Sequence, residues 1–497
     1  MSYAAAVDQL YALGHELAAP SPAAPRRKFD LAHMRTLMAA LGDPQRQFRS
    51  VLIAGTNGKG STAATLASIV ATAGYRTGLY TSPHLLRVNE RIQWSVPTLP
   101  TEYASSDAPT SAGPATLAPI SDEEFARHYF HVDETARRLV ESGTLPQAPS
   151  FFEMLTALAF VFYADRHVEL AVLEVGLGGR LDATNIVEPV LSVITDIALD
   201  HQDYLGPTIA EIAREKAGIL REGGTLVTLP QHPEANRVFG EVAAEFRELR
   251  AVSAVQFMPA PGEFVGGLGG GGTRMMVGKT NGPAPLLTAN RYSVTMDGRQ
   301  VLVDSPLGGQ HQQRNLALAL AATAELRNKS GYIIPNEAIE RGIRETLWPG
   351  RLQMVTLSGG QTLLLDVAHN PAGAWALRSA LASLEPVRPR TLLFSCLRDK
   401  DLGEMTQILF PLFDSTSGEE ERRQDHIVLA PIDNPRATAI EDLLAAAQQL
   451  DVPAHAAPHL QAALAQAREV TPADGVIVAT GSVYLVAEML RLAGESH

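Results

Sequence analysis

"VLIAGTNGKGSTAATLASIV", residues 51–70, decides the reading of this chain. Residues 51–54 form a short apolar run of buried-strand character, glycines crowd the turn at 55, 58 and 60, and Ala63, Ala64, Leu66, Ala67, Ile69 and Val70 follow with helical spacing. The product is strand, glycine loop, helix. In such a unit the backbone N–H groups of the loop and of the helix start converge on one spot, where an anion is favoured. Lys59 adds a full positive charge there, and Ser61 or Thr62 offers a hydroxyl to a phosphate or to magnesium. The spelling departs from G-x-x-x-x-G-K-[ST], because Ile53 stands at the first glycine position and Gly60 separates Lys59 from Ser61. An ordinary glycine-rich turn is the plain alternative. Agreement of strand, lysine, hydroxyl and helix favours a phosphate cradle made of Gly58, Lys59, Gly60 and Ser61.

Around this unit the chain runs to 497 residues, 45% of them hydrophobic, which is enough for more than one buried core. A formal charge of -13 argues against general affinity for nucleic acid or anionic membrane, so anionic ligands must meet local positive charge. One cysteine, Cys396, excludes an intramolecular disulfide framework and any multi-cysteine metal site, and it follows "TLLF" as a small buried residue would. The first residues, "MSYAAAVDQLYALGHEL", lack a basic leader and read as an amphipathic helix. The longest apolar run, "MLTALAFVFYA" at 154–164, is too short to span a bilayer and reads as a core helix. Together these features predict a cytoplasmic protein.

Outward from the loop, strands and helices alternate. "TGLYTS", "ELAVLEVG" and "LSVITDI" read as strands, and a Ser121/Glu124 capping box opens the helix "SDEEFARHYFHVDETARRLVES". The expected fold is α/β: a P-loop domain with a mostly parallel sheet, plus a smaller Rossmann-like C-terminal α/β domain. Residues 95–120, rich in Pro, Ser, Thr and Ala, and 262–274, rich in glycine, read as mobile surface insertions. Alternation over 286–304 predicts hairpins around "MDGRQ". A helix "PNEAIERGIRETL" then stops at "WPGR", and "TLLLDVA", "RTLLFS", "DHIVLAP" and "DGVIVATG" begin fresh βα units. The expected domains are 1–347 and 353–497, with 348–352 as linker.

Several polar residues end apolar strands. Ligands of open parallel sheets bind beyond the carboxyl ends of the strands, where Lys59, Ser82, Glu174, Asp196 and Asp366 fall. Glu174 follows four apolar residues and would be costly to bury there as an unpaired charge. A magnesium ion held by Ser82, Glu174 and His201 is one resolution; an arginine partner for Glu174 and a capping role for His201 are the others.

The blocks "AGTNGKGST", "TSPHLLRVNERI", "SFFEMLTALAF", "EVGLGGRLDATN", "LDHQDYLG", "EKAGI", "GQHQQRN", "PGRLQ", "DVAHNP", "RDKD" and "GSVYLVAE" run in order from about residue 50 onward. In them the chain resembles the folylpolyglutamate synthases, including the bifunctional dihydrofolate synthase form, of the Mur ligase superfamily. That family spells its loop G-T-N-G-K-G-S, so the opening departure is a family variant. Val367 stands where the family commonly has Gly.

The resemblance implies ATP, L-glutamate and dihydropteroate or a reduced folate as substrates of a monomeric ligase. By motif, Gly58, Lys59, Gly60 and Ser61 would hold the ATP phosphates, completed by Asn315, Arg351 and Asp366. Two magnesium ions would be bound by Ser61, Ser82, Glu174, His201 and Lys216, the last as a carbamylated lysine. Phe152, Glu153, Leu181, Asp182 and Ala183 would meet the pterin-bearing substrate, while His369, Ser482 and Tyr484 would meet glutamate or the transferring phosphate. Lys59, Lys216 and His369 carry the catalytic expectation, and the implied route is an acyl phosphate displaced by the glutamate amine. Two rivals remain at this point: a UDP-N-acetylmuramoyl peptide ligase, which needs a uridine-binding domain before the loop, and a nucleotide-dependent switch or assembly ATPase.

Overall fold

The computed structural model describes residues 2–14, 31–98, 113–259, 289–384 and 388–494. Contacts divide the chain into two units, Met1–Met258 with Thr295–Val301 and Arg314–Thr346, and Pro259–Val294 with Leu302–Gln313 and Leu347–His497.

The first unit is built on eight strands: β1 (Arg49–Ala54), β2 (Thr77–Tyr80), β3 (Ile92–Thr98), β4 (Gly113–Pro119), β5 (Leu170–Glu174), β6 (Leu191–Ile194), β7 (Thr225–Thr228) and β8 (Arg250–Ser253). Their order in the sheet is β4-β3-β2-β5-β1-β6-β7-β8. From β2 to β8 neighbours run parallel, while β3 and β4 add an antiparallel edge. The chain leaves β5 on one side of β1 and returns as β6 on the other, which opens a crevice at the carboxyl end of β1. β5 is buried at every position, as a strand covered on both faces must be.

The core helix Phe151–Asp165 has eleven of its side chains buried, and its start is fixed by a reciprocal capping box between Ser150 and Glu153. It packs into a cluster with Tyr80, Leu173, Phe125 and Tyr129. The helix Asp122–Glu141 begins at Ser121, whose hydroxyl accepts from Glu124 N. The amino-terminal helix covers Tyr3–Ala12, shorter than the sequence run, because Leu13 and Gly14 close its last turn.

One expectation needs correction. Of the insertion expected at 95–120, residues 95–98 and 113–119 belong to the paired strands β3 and β4 of the main sheet, while 99–112 lie outside the described residues. Ser95 is buried, and its hydroxyl accepts from Thr77 N at 2.9 Å, so a polar residue serves as a sheet connector. The Pro, Ser and Thr content that read as loop hides β pairing at a sheet edge, where proline is tolerated. The glycine-rich stretch 262–274 lies outside the described residues.

Strands β9 (Ala289–Met296) and β10 (Arg299–Gly308) form the expected hairpin. Its turn, Asp297–Gly298, has φ of 50° and 74°, the left-handed pair that a two-residue hairpin requires. The helix Gln310–Lys329 follows.

In the second unit β11 (Gln353–Thr356), β12 (Thr362–Leu365), β13 (Arg390–Phe394), β14 (His426–Leu429), β15 (His455–Ala456) and β16 (Val476–Thr480) are ordered β11-β12-β16-β13-β14-β15. All neighbours are parallel except β11 against β12. Cys396 is fully buried against Thr438, the structural place its sequence context predicted.

Candidate active site

The glycine loop leaves β1 at Gly55 and enters the helix Lys59–Thr72 at Gly58. Two features force glycine here. Gly55 has φ of 151°, and a Cβ on it would stand 1.8 Å from Thr195 Oγ1; Gly58 has φ of 87°, and a Cβ would stand 2.2 Å from Asn315 Oδ1. The loop backbone is therefore pressed against the ends of β6 and of the helix Gln310–Lys329. Thr56 N and Asn57 N donate to the Asp196 carbonyl at 2.8 and 3.3 Å, which holds the loop in a narrow bridge beside β6. Lys59 Nζ donates to Thr56 O at 3.0 Å, so the ammonium curls back over its own loop. Ser61 is buried in the first helical turn, 3% exposed.

Beneath the loop, Lys216 is 4% exposed and donates from Nζ to the Gly55 carbonyl at 2.7 Å. Burial, then the nearby charge of Lys59, lower its pKa from the usual 10.5 to about 7, against the opposing pull of Asp200 and Asp182. Its helix, Ile209–Ala217, is clamped to the "GLGGR" turn, where Arg180 pairs with Glu215 at 2.8 Å and Asn185 Nδ2 donates to Gly218 O at 3.0 Å.

Glu174 ends β5 beside Ile53, 4% exposed, and Oε2 accepts from Ser82 N at 3.1 Å. Ser82 and Glu174 are thus brought together from neighbouring strands. His201 lies beyond β6 in the left-handed region, φ 51°, at the start of a four-residue helix, with Nε2 3.9 Å from Asp200 Oδ2. Among the described residues no three His, Cys, Asp or Glu side chains gather as a metal cage. The expected set does not need one, since only Glu174 and His201 are donors of that kind. A buried carboxylate at a strand end, held by the Ser82 backbone N–H, is the kind of oxygen donor that suits a hard cation keeping several waters.

Phe152 lies on the following turn so closely that a Cβ on Gly176 would stand 2.6 Å from its ring. Leu181 is partly exposed and Ala183 is buried. Asp182 is engaged within the chain: it accepts from Gly176 N, Leu177 N and Thr184 N, each at 3.0 Å, and burial pushes its carboxyl pKa up. Glu153 likewise accepts from Ser150 N at 2.7 Å. Glu153 thus fixes the start of the helix that carries Phe152, and Asp182 fixes the turn on which the Phe152 ring packs. In the "TSPHL" block, Arg91 Nε donates to His84 Nδ1 at 2.9 Å and its guanidinium lies 5.4 Å over the Phe151 ring. With Nδ1 accepting, the ring proton sits on Nε2, 3.2 Å from Tyr11 Oη. Burial, then Arg91, lower the pKa of His84 to about 3, so the imidazole is neutral.

In the second unit Asp366 follows β12 and accepts from Leu352 N at 3.0 Å and Ala368 N at 2.9 Å. Burial raises its pKa, opposed by His311 and Arg351. Arg351 stands 6.0 Å over the Trp348 ring. His369 Nδ1 lies 2.8 Å from the Val367 carbonyl, which can only accept, so the ring proton is on Nδ1 and Nε2 is the basic atom. Ser482 is buried and caps its helix by accepting from Tyr484 N at 3.2 Å, while Tyr484 is 44% exposed.

Sequence reasoning missed the supports of this site: Arg314, which pairs with Asp196, and Arg91 with Tyr11 around His84. Asp196 lies 118 residues from Arg314 and Tyr11 lies 73 from His84, and although Arg91 is only seven residues from His84, no periodic pattern pairs them.

A glycine loop at the switch point of a parallel sheet, followed by a second α/β unit, is the arrangement of an anion-binding α/β protein. Residues 350–483 match the family model of the Mur ligase, glutamate ligase domain. The chain is 32% identical over 476 residues to the dihydrofolate synthase/folylpolyglutamate synthase of Bacillus subtilis, covering 93% of this chain and 94% of that protein. Among solved structures, Mycobacterium tuberculosis folylpolyglutamate synthase complexed with ADP matches with a TM-score of 0.75 and 29% identity, covering 99% of both chains. E. coli FolC in complex with DHPP and ADP gives a TM-score of 0.75 at 25% identity, covering 100% of this chain and 98% of that one. The chain belongs to the dihydrofolate synthase/folylpolyglutamate synthase family.

Proposed function

We propose that the protein is an ATP-dependent ligase that joins L-glutamate to a pterin-linked carboxylate, extending reduced folates and converting dihydropteroate to dihydrofolate. The observation that carries this reading is the 32% identity spread over 93% of the chain. The two rivals lose ground to it, since the relatives match along both units and carry folate-ligase names.

A carboxylate is a poor acceptor for an amine, so it is first phosphorylated by ATP, and the amine then displaces phosphate. Lys59 and the loop N–H groups from Gly58 to Ser61 offset the phosphate charge, with Asn315 packed against Gly58 to fix the loop; Arg351 and Asp366 complete the nucleotide contacts. Magnesium would be held by Ser82, Glu174 and His201, with Ser61 and Lys216 serving a second ion, and would screen phosphate charge when bound. Lys216 is suited to carbamylation because an amine with a pKa of about 7 is largely neutral at physiological pH and can add to carbon dioxide, releasing a proton and becoming an anion. Phe152, Leu181 and Ala183 offer the pterin an apolar wall, with Glu153 and Asp182 holding that wall in shape. His369, through Nε2, and Ser482 with Tyr484 would orient glutamate or the phosphate.

We read the protein as a cytoplasmic monomer; among the described residues no helix is long and apolar enough to cross a membrane. The test is a set of parallel assays with MgATP and L-glutamate, reading phosphate and amide by mass spectrometry. Amide from both dihydropteroate and a monoglutamyl folate supports the bifunctional enzyme, and amide from folate alone restricts it to tail extension. Product only with a muramoyl acceptor, or phosphate without any amide, overturns the reading.

A further inference from the structure

The first unit has a second concavity at the other end of its sheet. A cleft of about 550 Å³ opens at the amino ends of β1, β2 and β5, where Arg46, Arg49, Arg76, His167, Tyr75 and Tyr332 line it. Arg49 begins β1 and Gly55 follows its end, so the cleft and the glycine loop are separated by roughly 20 Å of extended strand.

Three arginines and one acid, Glu169, line this cleft, with Asp43 paired to Arg46 outside the lining, in a chain whose formal charge is -13. Such clustering raises the local positive potential and costs repulsion unless an anion answers it. The guanidiniums are also held in place. Arg49 Nη1 donates to Ser330 O at 2.7 Å, with the group 5.0 Å over the Tyr332 ring. Arg76 Nε donates to His167 O at 2.7 Å, and Glu169 stands 3.7 Å away. Each is thereby oriented while keeping further N–H donors, the arrangement that recognises phosphate and carboxylate oxygens. Arg46 has a 79% exposed side chain and a long ion pair to Asp43 at 3.9 Å.

The floor beneath them is rigid. Tyr332 and Tyr75 meet edge to face at 4.9 Å; Tyr332 OH donates to Glu169 O at 3.3 Å, and Tyr75 Oη accepts from Ile333 N at 2.7 Å. Arg49 already covers the Tyr332 ring, so the cleft offers charge rather than a stacking face. Its volume exceeds that of a single phosphate or acetate group, which points to several anionic groups in one ligand.

We propose that this cleft binds a small polyanion whose charges are spaced along a chain, a polyphosphate or a polycarboxylate. The site is independent of the glycine loop and of the reaction assigned to it.

Calorimetric titration of the full chain in magnesium-free buffer tests this, with tripolyphosphate in one arm and γ-linked tetraglutamate in the other. Wild type binds at least one of them, and the arm that gives heat identifies the source. Arg49→Gln weakens that binding by about tenfold through loss of an oriented charge-assisted donor set, and Arg46→Gln weakens it less without touching any packed contact. Lys59→Ala retains it, and both arginine variants keep wild-type ligation. Absence of binding in both arms overturns the proposal. So does an affinity unchanged in both arginine variants, or one lost in Lys59→Ala, because the anion then sits at the glycine loop or on the surface at large.

Discussion

The guanidinium of Arg314 grips the carboxylate of Asp196 fork to fork, with Nε 3.0 Å from both oxygens and Nη2 2.6 Å from Oδ1. The carbonyl of the same Asp196 receives Thr56 N and Asn57 N, and the residue after Arg314 is Asn315, packed on Gly58. One ion pair therefore ties both walls of the glycine loop together. The pair is partly exposed, so its worth to folding is on the order of 1 kcal/mol. Its worth to nucleotide binding is larger: Arg314→Gln is expected to raise the KM for ATP roughly tenfold with a smaller change in kcat, since a loosened loop loses oriented donors. Arg314→Lys should recover little, as a point charge cannot make the two-pronged contact. Steady-state kinetics beside thermal unfolding decides it, and lost stability with an unchanged KM would make the pair purely structural.

Gly58→Ala is the sharper test of the loop. A Cβ 2.2 Å from Asn315 Oδ1, on a residue at φ 87°, must displace either the loop or the asparagine. The left-handed backbone alone costs about 1–2 kcal/mol. Ligation should fall by at least about a hundredfold, on the scale seen when an oriented donor is lost. Turnover close to wild type would show that the loop has slack.

Lys216 links acidity to stability. Its pKa falls from 10.5 to about 7 on folding, so the unfolded chain holds the extra proton between those values. Stability then rises with pH across that window, and the burial cost is full below about pH 7. Lys216→Met removes the cost. The variant should gain most over wild type near pH 7 and lose that gain as the pH approaches 10, read from urea unfolding at a series of pH values. Its ligation should be lost at every pH. A carbamate on wild-type Lys216 would appear as a distinct carbon resonance with labelled bicarbonate and be missing from the variant.

Glu174→Ala removes a buried carboxylate that also accepts from Ser82 N. Ligation should drop by about a thousandfold or more, as expected when charge stabilisation at phosphate is lost. Lys59→Ala should do the same. Glu174→Asp should retain measurable activity with a raised magnesium requirement, whereas magnesium dependence identical to wild type would remove Glu174 from the metal set.

Much of this was legible in the sequence, for a physical reason. Buried parallel strands must be apolar throughout, so residues such as Glu174 and Lys59 at their ends stand out against Leu170–Leu173 or Val51–Ala54. A carboxylate's partner does not show in the same way. The Ser150/Glu153 spacing is the same capping signal as Ser121/Glu124, and that cap is present, while a substrate role for Glu153 rests on the family block alone. Asp182 carried no such signal, because its partners are backbone N–H groups of a turn that exists only once folded. The pairing of Asp196 with Arg314 spans 118 residues, which no local pattern encodes. Strands β3 and β4 were hidden by composition: an edge strand needs little hydrophobicity on its outer side, so Pro, Ser and Thr there look like loop.

Gly55 and Thr195 have a further consequence, one that concerns descent rather than catalysis. A side chain at 55 would enter the space of the Thr195 hydroxyl, so position 55 cannot gain one while Thr195 stands as it does, whereas residue 195 can shrink beside the glycine. Shrinking residue 195 first opens the space but leaves φ of 151° at position 55, which still disfavours any residue but glycine. Change at 195 is thus accessible in one step and change at 55 is not. In a lineage of such chains the neighbour should drift through small residues while the glycine stays, a ratchet set by the geometry of two adjacent strand ends.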